Sequence, residues 1–319
     1  MKKKFLTLVL SLTLCLSSAF IFGACKEKPI PVAEAAAMES FNTAMTNMDN
    51  ETAVKMSMSL FGVEAKTIIS ESKIYAYSTD AMEMWITKNE NVYEAFTIEN
   101  ISENEIPEYT YSKSIYPAIA LDEKSSYDLL MQMGQTNLSG GEDATFEFVS
   151  ATELNGELTV NLKFTVLEGF ELTATFTIKN HVFNSMTINM FGFSMRYNFT
   201  YGAEVLNEIP EIPTINKEGD PMIWDECQPK IEISNLENKE FLINEDVSLE
   251  DLVLKYYPDE ENVFSYYEFT ITEEMLQDFT ITGFDSSQLT NGTPKEMTIS
   301  FMGATLIIEY EVVEVVTQE

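Results

Sequence analysis

Alternation of apolar and polar residues over four successive runs is the feature that most limits how this chain can fold. The first run covers residues 158–166, with leucine, valine or phenylalanine at every second position, and three similar runs follow before residue 200. A period of two places the apolar side chains on one face of a β-strand and the polar ones on the other. Asn155-Gly156, just before the first run, is a strong two-residue hairpin signal. We therefore predict an antiparallel meander that is buried on one side only.

Apolar residues at helical spacing predict a helix that covers the buried face of that meander. Between Ala33 and Met48, apolar residues recur at intervals of three and four and line one face of a helix: Met38, Phe41, Met45 and Met48. A second, short helix is predicted after Ser125, because Ser125 and Asp128 have capping spacing and Gly134 can end the helix. The predicted first domain is a curved antiparallel half-barrel sheet with one or two covering helices.

The first 25 residues have the pattern of an export signal. Lys2–Lys4 precede the apolar run Phe5–Phe22, and the small pair Gly23–Ala24 precedes Cys25. This ending resembles the lipobox of bacterial lipoproteins, and the resemblance implies that Cys25 receives a lipid and becomes the first residue of the mature chain. An uncleaved membrane helix is the alternative, since the run approaches the roughly 17–25 residues that a span needs. A plain, cleaved signal peptide is a further alternative, and under every one of these interpretations the bulk of the chain lies outside the cytoplasm. With a lipid on Cys25, the protein is anchored on the outer face of the plasma membrane.

Acidic residues dominate the charge of the mature chain. Removal of residues 1–24 leaves 16 basic and 52 acidic residues, a net charge of −36. This excess repels phosphate backbones and anionic lipid heads, so it argues against nucleic-acid binding and leaves membrane attachment to the acyl chains. Apolar residues make up 45% of the sequence, which is enough for packed cores despite the acidity.

Cysteine and proline positions indicate how the chain is organised. Cys15 leaves with the signal and Cys25 carries the lipid, so Cys227 has no partner for an intramolecular disulfide. Pro210 and Pro213 open a stretch of extended geometry that predicts a semi-rigid spacer. The predicted organisation is a signal peptide (1–24), a tether (25–32), a half-barrel-like α+β domain (33–207), a proline-containing linker (208–228) and a second domain (229–319).

The element order of the first domain resembles the half-barrel fold of lipoprotein carriers such as LolA and the mycobacterial LppX/LprG group. The resemblance covers residues 33–202 and implies that a lipid or acyl chain is held between the sheet and its helices. Methionines are abundant at the strand positions of this domain, among them Met56, Met58 and Met186. Their flexible thioethers either fill the core or line an adaptable apolar cavity.

The second domain resembles the bacterial immunoglobulin-like repeat of cell-surface proteins. Its strand with Tyr256 and Tyr257, its turn at Gly283-Phe284-Asp285 and the closing hairpin around Gly303 carry the resemblance. It implies a β-sandwich that acts as a spacer or adhesion module. Residues 258–267 form a longer and more aromatic stretch than the usual turn. The tyrosines around its acidic tip either grip a glycan or pack on the sheet: Tyr256, Tyr257, Tyr266 and Tyr267.

Residue types that perform catalysis are sparse. His181 is the only histidine, in a predicted turn, and no Gly-x-Ser-x-Gly motif accompanies it. A dyad of His181 with Cys227 is disfavoured because Asp225 and Glu226 raise the pKa of the thiol. Residues 259–262 lack the ligand spacing and glycine of a calcium loop, and nitrogen and sulfur ligands for zinc are missing. We predict no catalytic residue, no metal site and no cofactor.

Two functions from different classes are compatible with these patterns. The first is a non-catalytic cell-surface lipoprotein, anchored through Cys25, whose first domain binds an apolar or envelope ligand such as a lipid or glycan. The immunoglobulin-like domain would be its spacer or adhesion module. The alternative is an envelope glycan hydrolase, which needs two carboxyls facing each other across a cleft, one of them with a raised pKa. The patterns name neither ligand-binding residues nor an oligomeric state.

Overall fold

The computed structural model describes residues 28–60, 62–102, 106–118, 146–167, 170–190, 193–216, 218–234, 236, 239–261 and 266–314. Its fold is mainly β, as predicted. Cys25 and the helix predicted after Ser125 lie outside the described residues.

A thirteen-stranded sheet dominates the described part of the chain. Its strands in chain order are β1 (Ile30–Pro31), β2 (Ala53–Leu60), β3 (Val63–Ser70), β4 (Lys73–Ser78), β5 (Met82–Asn89), β6 (Val92–Asn100), β7 (Tyr109–Pro117), β8 (Phe146–Leu154), β9 (Glu157–Leu167), β10 (Phe170–Lys179), β11 (Val182–Met190), β12 (Phe193–Tyr201) and β13 (Asp225–Glu226). The order across the sheet is β1-β8-β9-β10-β11-β12-β2-β3-β4-β5-β6-β7-β13. Two meanders are joined where β12 pairs with β2. Within this sheet, β13 is the one strand that pairs in the parallel sense, with β7.

The hairpins of the second meander follow the sequence signals. Asn155 and Gly156 join β8 to β9 with positive φ values of 55° and 74°, which are typical of the tight turns that match strand twist. Asn180 and His181 join β10 to β11 in the same conformation, with φ values of 52° and 63°. The predicted hairpin at Asn155 and the predicted turn location of His181 are confirmed.

Helix α1 (Glu34–Asp49) packs into the concave face of the sheet. Its buried face consists of four residues that are at most 2% exposed: Ala37, Phe41, Ala44 and Met48. Phe41 meets Phe176 and Phe183 edge-on, with ring centroids 4.9 and 5.1 Å apart. The predicted first helix is confirmed, and two of its four predicted apolar positions, Met38 and Met45, are only partly buried.

The convex face of β2–β7 is covered as well, which the alternation pattern did not predict. A second core there contains Ile68, Tyr75 and Trp85. It is closed by residues 203–226, here named the strap, which begin with a 3₁₀ helix at Ala203–Glu208. Strands β4 and β5 are therefore buried on both faces, whereas β9–β12 keep the predicted polar outer face.

The strap makes specific contacts with the sheet. The indole N–H of Trp85 donates to the carbonyl oxygen of Pro210 at 2.9 Å. Trp224 meets Phe96 and Tyr111 edge-on, at centroid distances of 5.3 and 6.0 Å. The proline-containing stretch predicted as a spacer thus lies along the first sheet, where it covers aromatic rings that water would otherwise reach.

Two small sheets form a sandwich in the C-terminal part of the described chain. Its strands are β14 (Lys230–Ile233), β15 (Lys239–Leu242), β16 (Val253–Tyr257), β17 (Tyr267–Thr270), β18 (Phe279–Thr282), β19 (Lys295–Phe301) and β20 (Ala304–Val313). One sheet has the order β14-β16-β17 and the other β15-β20-β19-β18, around a shared apolar core. The predicted hairpin around Gly303 is present, with Met297 opposite Ile308 and Phe301 opposite Ala304.

Candidate functional site

An open groove runs along α1 beside the face that packs into the half barrel. Its volume is about 570 Å³. Among the described residues its lining comes from α1 alone, at spacings of three and four: Ala35, Met38, Glu39, Asn42, Thr43, Thr46 and Asn47. Burial of Phe41 and its neighbours fixes the orientation of the helix, so this adjacent stripe is presented outward.

The groove is weakly polar and carries one carboxylate. The hydroxyl of Thr43 donates to Glu39 O at 2.8 Å, and that of Thr46 donates to Asn42 O at 3.1 Å. Both hydroxyl protons are therefore directed to the helix backbone, and their oxygens present acceptor lone pairs. Asn47 donates through Nδ2 to His181 O at 2.9 Å, which ties the end of the groove to the β10–β11 turn. Such a lining suits a ligand that is partly apolar and carries donors.

Half-buried methionines occupy the inner face of the sheet away from the C-terminal end of α1. Met58 lies opposite Tyr197, Met84 lies opposite Ala76, and Met195 is also partly buried against the inner core. Met58 is five residues beyond Ala53, or about 17 Å along β2 at the usual rise of a strand. Under α1 the core consists of buried side chains, whereas Met58, Met84 and Met195 are only partly buried. Among the described residues, these three methionines mark a part of the concave face that remains accessible.

The residues of the proposed dyad are not brought together. His181 lies exposed in the β10–β11 turn, while Cys227 N–H donates to Lys113 O beside β7. Strands β11 and β7 are seven positions apart in the sheet. Burial, followed by the carboxylates of Asp259 and Asp225, raises the pKa of the Cys227 thiol and disfavours the thiolate.

The tyrosines around residues 258–267 are mostly used in packing. Tyr256 is fully buried and donates its hydroxyl to Ile115 O at 3.1 Å. Tyr267 meets Tyr116 of β7 edge-on at 5.8 Å. Tyr266 is 46% exposed. Of the two alternatives for these residues, packing is the one that the geometry supports, and residues 262–265 lie outside the described part of the chain.

Several acidic residues in the described ranges take part in turns and ion pairs. The N–H of Glu261 donates to Asp259 Oδ1 at 3.1 Å, which closes a local turn. Among the described residues, no group of three or more histidine, cysteine, aspartate or glutamate side chains is placed to hold a metal ion. Hydrogen bonding to Lys230 lowers the pKa of Glu232, and hydrogen bonding to Ser287 lowers that of Asp285. A general acid needs a shift in the opposite direction.

Comparison with known proteins supplies little beyond this geometry. No protein-family model matches the chain, and no curated protein matches its sequence. Among solved structures, MucB in complex with MucA(peri) is 10% identical, covers 86% of this chain and 92% of its own, and has a TM-score of 0.23. A likeness at that TM-score supports no conclusion about fold or partner. In the described residues, no helix is long and apolar enough to cross a membrane.

Two features of the site were not predicted from the sequence. The helix stripe that lines the groove, with Asn42, Thr43 and Thr46, contains no recognisable sequence motif. In the sequence, it is distinguished only by its position beside the apolar face of α1. The contacts of Trp224 in the strap could have been suspected from the sequence, since a linker that is exposed to water rarely contains tryptophan.

Proposed function

We propose that this protein is a non-catalytic, lipid-anchored protein of the bacterial cell surface that binds an apolar or envelope-derived ligand. The ligand site is the concave face of the half barrel beyond α1, where the methionines remain accessible. The sandwich is an immunoglobulin-like module that serves as a spacer or adhesion element. The anchor is the acyl chain on Cys25, as the lipobox-like ending implies.

One observation carries this proposal: the concave face is packed under α1 and lined by partly buried methionines beyond it. Met58, Met84 and Met195 contact the inner core without being fully covered by described residues. Unbranched thioether side chains repack at low cost, so they adapt to ligands of varied shape. A lipid chain or an apolar polymer segment would lie along this surface.

The glycan-hydrolase alternative receives no support from the described carboxyls. Glu232 and Asp285 have lowered pKa values, which keep them ionised at neutral pH and unable to protonate a leaving group. Turnover of cell-wall glycan by the purified chain would overturn the non-catalytic proposal.

The test uses the mature chain and a fluorescent long-chain monoacylglycerol as the probe, because this lipid is uncharged and its hydroxyls can donate. We expect saturable binding, which the double variant Met58→Gln/Met84→Gln weakens by at least about tenfold, because polar amides replace two apolar contacts. Met302→Gln, in the turn between β19 and β20, is the matched control and should bind like the parent. Native mass spectrometry of protein purified from envelope extracts gives a second readout. A clean unliganded mass together with no probe binding would refute the proposal.

A further inference from the structure

The chain is attached to the first sheet within a few residues of the proposed lipid anchor. Ile30 pairs with Glu153 and Pro31 with Thr152 on β8. Val32 continues the attachment, since its N–H donates to Ala151 O at 3.0 Å. The chain is therefore held by the sheet from Ile30 onward, and this inference rests on the acylation of Cys25 proposed above.

The number of residues between Cys25 and Ile30 limits where the sheet can lie relative to the acyl chain. Five Cα–Cα steps separate Cys25 from Ile30, and a fully extended chain spans about 17 Å over them. Strand β9, with 11 residues, is about 36 Å long. The reach of the tether is thus about half the length of a long strand, so only one end of the half barrel can lie close to the acylated residue.

The edge next to the tether exposes apolar side chains. Ile30 is 69% exposed, Leu154 is 37% exposed and Val149 is 53% exposed. All three lie on β1 or β8, at the edge of the thirteen-stranded sheet. Exposed apolar side chains beside an acyl anchor favour shallow contact with the interfacial region of a bilayer, where they are partly removed from water. The high negative charge of the chain opposes deep insertion into the bilayer and contact with anionic lipids.

We propose that the β1–β8 edge and the Asn155–Gly156 turn face the bilayer that holds the Cys25 acyl chain. The opposite strand ends, which include the residues around Glu64 and Met58, then point away from that bilayer. Ala53, at the start of β2, pairs with Ser70, and Ser59 pairs with Glu64 at the far end, so the accessible methionines lie toward the distal side. The ligand therefore enters from the wall side and is not extracted directly from the bilayer that anchors the protein.

The test places a single fluorescent label on the acylated full-length protein in a Cys227→Ser background. One variant carries Glu153→Cys beside the tether, and the matched variant carries Glu64→Cys at the far strand end; both positions are exposed. The proteins are reconstituted in phosphatidylcholine vesicles that contain a nitroxide-labelled lipid. We expect several-fold stronger quenching of the label at position 153 than at position 64. In detergent that contains no nitroxide-labelled lipid, this difference between the two positions should disappear.

The outcomes separate this inference from the proposed function. Intact mass of the same samples reports whether Cys25 is acylated. Acylated protein with equal quenching at both positions, or with stronger quenching at position 64, overturns the orientation and leaves the anchor intact. An unmodified Cys25 overturns the anchor and the orientation together.

Discussion

Truncation of Phe41 tests whether the concave face under α1 is a packed core. Phe41 is 2% exposed and meets two phenylalanine rings edge-on, those of Phe176 and Phe183. Phe→Ala substitutions in packed cores cost about 3–5 kcal/mol through lost transfer energy and an unfilled cavity. The two ring contacts place Phe41→Ala in the upper part of this range, since each adds about 0.5–1.5 kcal/mol beyond area burial.

Urea denaturation followed by tryptophan fluorescence measures this loss. Both tryptophans of the chain, Trp85 and Trp224, lie on the first sheet, so the signal reports on that sheet rather than on the sandwich. With an m-value of about 2.5 kcal/mol/M, Phe41→Ala should lower the urea midpoint by roughly 1–2 M. Asn42→Ala, one position along the helix and exposed, is the control and should leave the midpoint nearly unchanged. A midpoint for Phe41→Ala within 0.3 M, roughly, of the parent would show that the region is an open pocket and not a core.

Three further predictions address the strap, a turn and the alkaline limit of stability. Trp85→Phe should lower the free energy of unfolding by about 1–2 kcal/mol, because the Pro210 carbonyl loses its buried hydrogen-bond donor. The same variant should speed proteolysis of the strap, and unchanged proteolysis would contradict this. Gly283→Ala should destabilise the sandwich more than Gly292→Ala in thermal melts. Both glycines have positive φ, but a Cβ at Gly283 would lie 2.9 Å from a backbone carbonyl oxygen, whereas Gly292 faces open space. Equal decreases in melting temperature for the two variants would refute the clash at Gly283. Burial raises the pKa of Tyr197 from 10.0 to about 12, so its contribution to stability is present below pH 10 and is lost as pH rises toward 12. Other buried tyrosines, such as Tyr201, have raised pKa values too, so Tyr197→Phe should reduce the alkaline loss by about 1.4 kcal/mol per pH unit without abolishing it. An unchanged slope in urea titrations between pH 8 and 12 would count against this.

Local patterns predicted the second meander and α1 because the deciding interactions there are close in sequence. Period-two alternation reports which face of a strand is buried, and Asn155-Gly156 supplies the φ values that a two-residue turn requires. The buried face of α1 followed from Phe41 and Met48 at helical spacing. The hairpin around Gly303 followed from the same kind of pattern.

The candidate site was less accessible to sequence reasoning. Nothing in the sequence distinguishes methionines that fill the core, such as Met186, from those that stay partly uncovered, such as Met58. Both occur at alternating strand positions, and their exposure depends on which part of the concave face α1 covers. The tyrosines near residue 258 presented a similar ambiguity, since their packing partners, Ile115 and Tyr116, lie more than 140 residues away in the chain.

By itself, the sequence determined the strand periodicity, the tight turns, the covering helix and the acidic character of the chain. These depend on side-chain spacing and on intrinsic backbone preferences, which act over a few residues. Only the tertiary structure decided that β12 pairs with β2, that the strap covers the outer aromatic face, and that the concave face is filled under α1 but accessible near Met58. Those outcomes depend on pairing and burial between segments far apart in the chain, where many arrangements satisfy the same local pattern and packing selects among them.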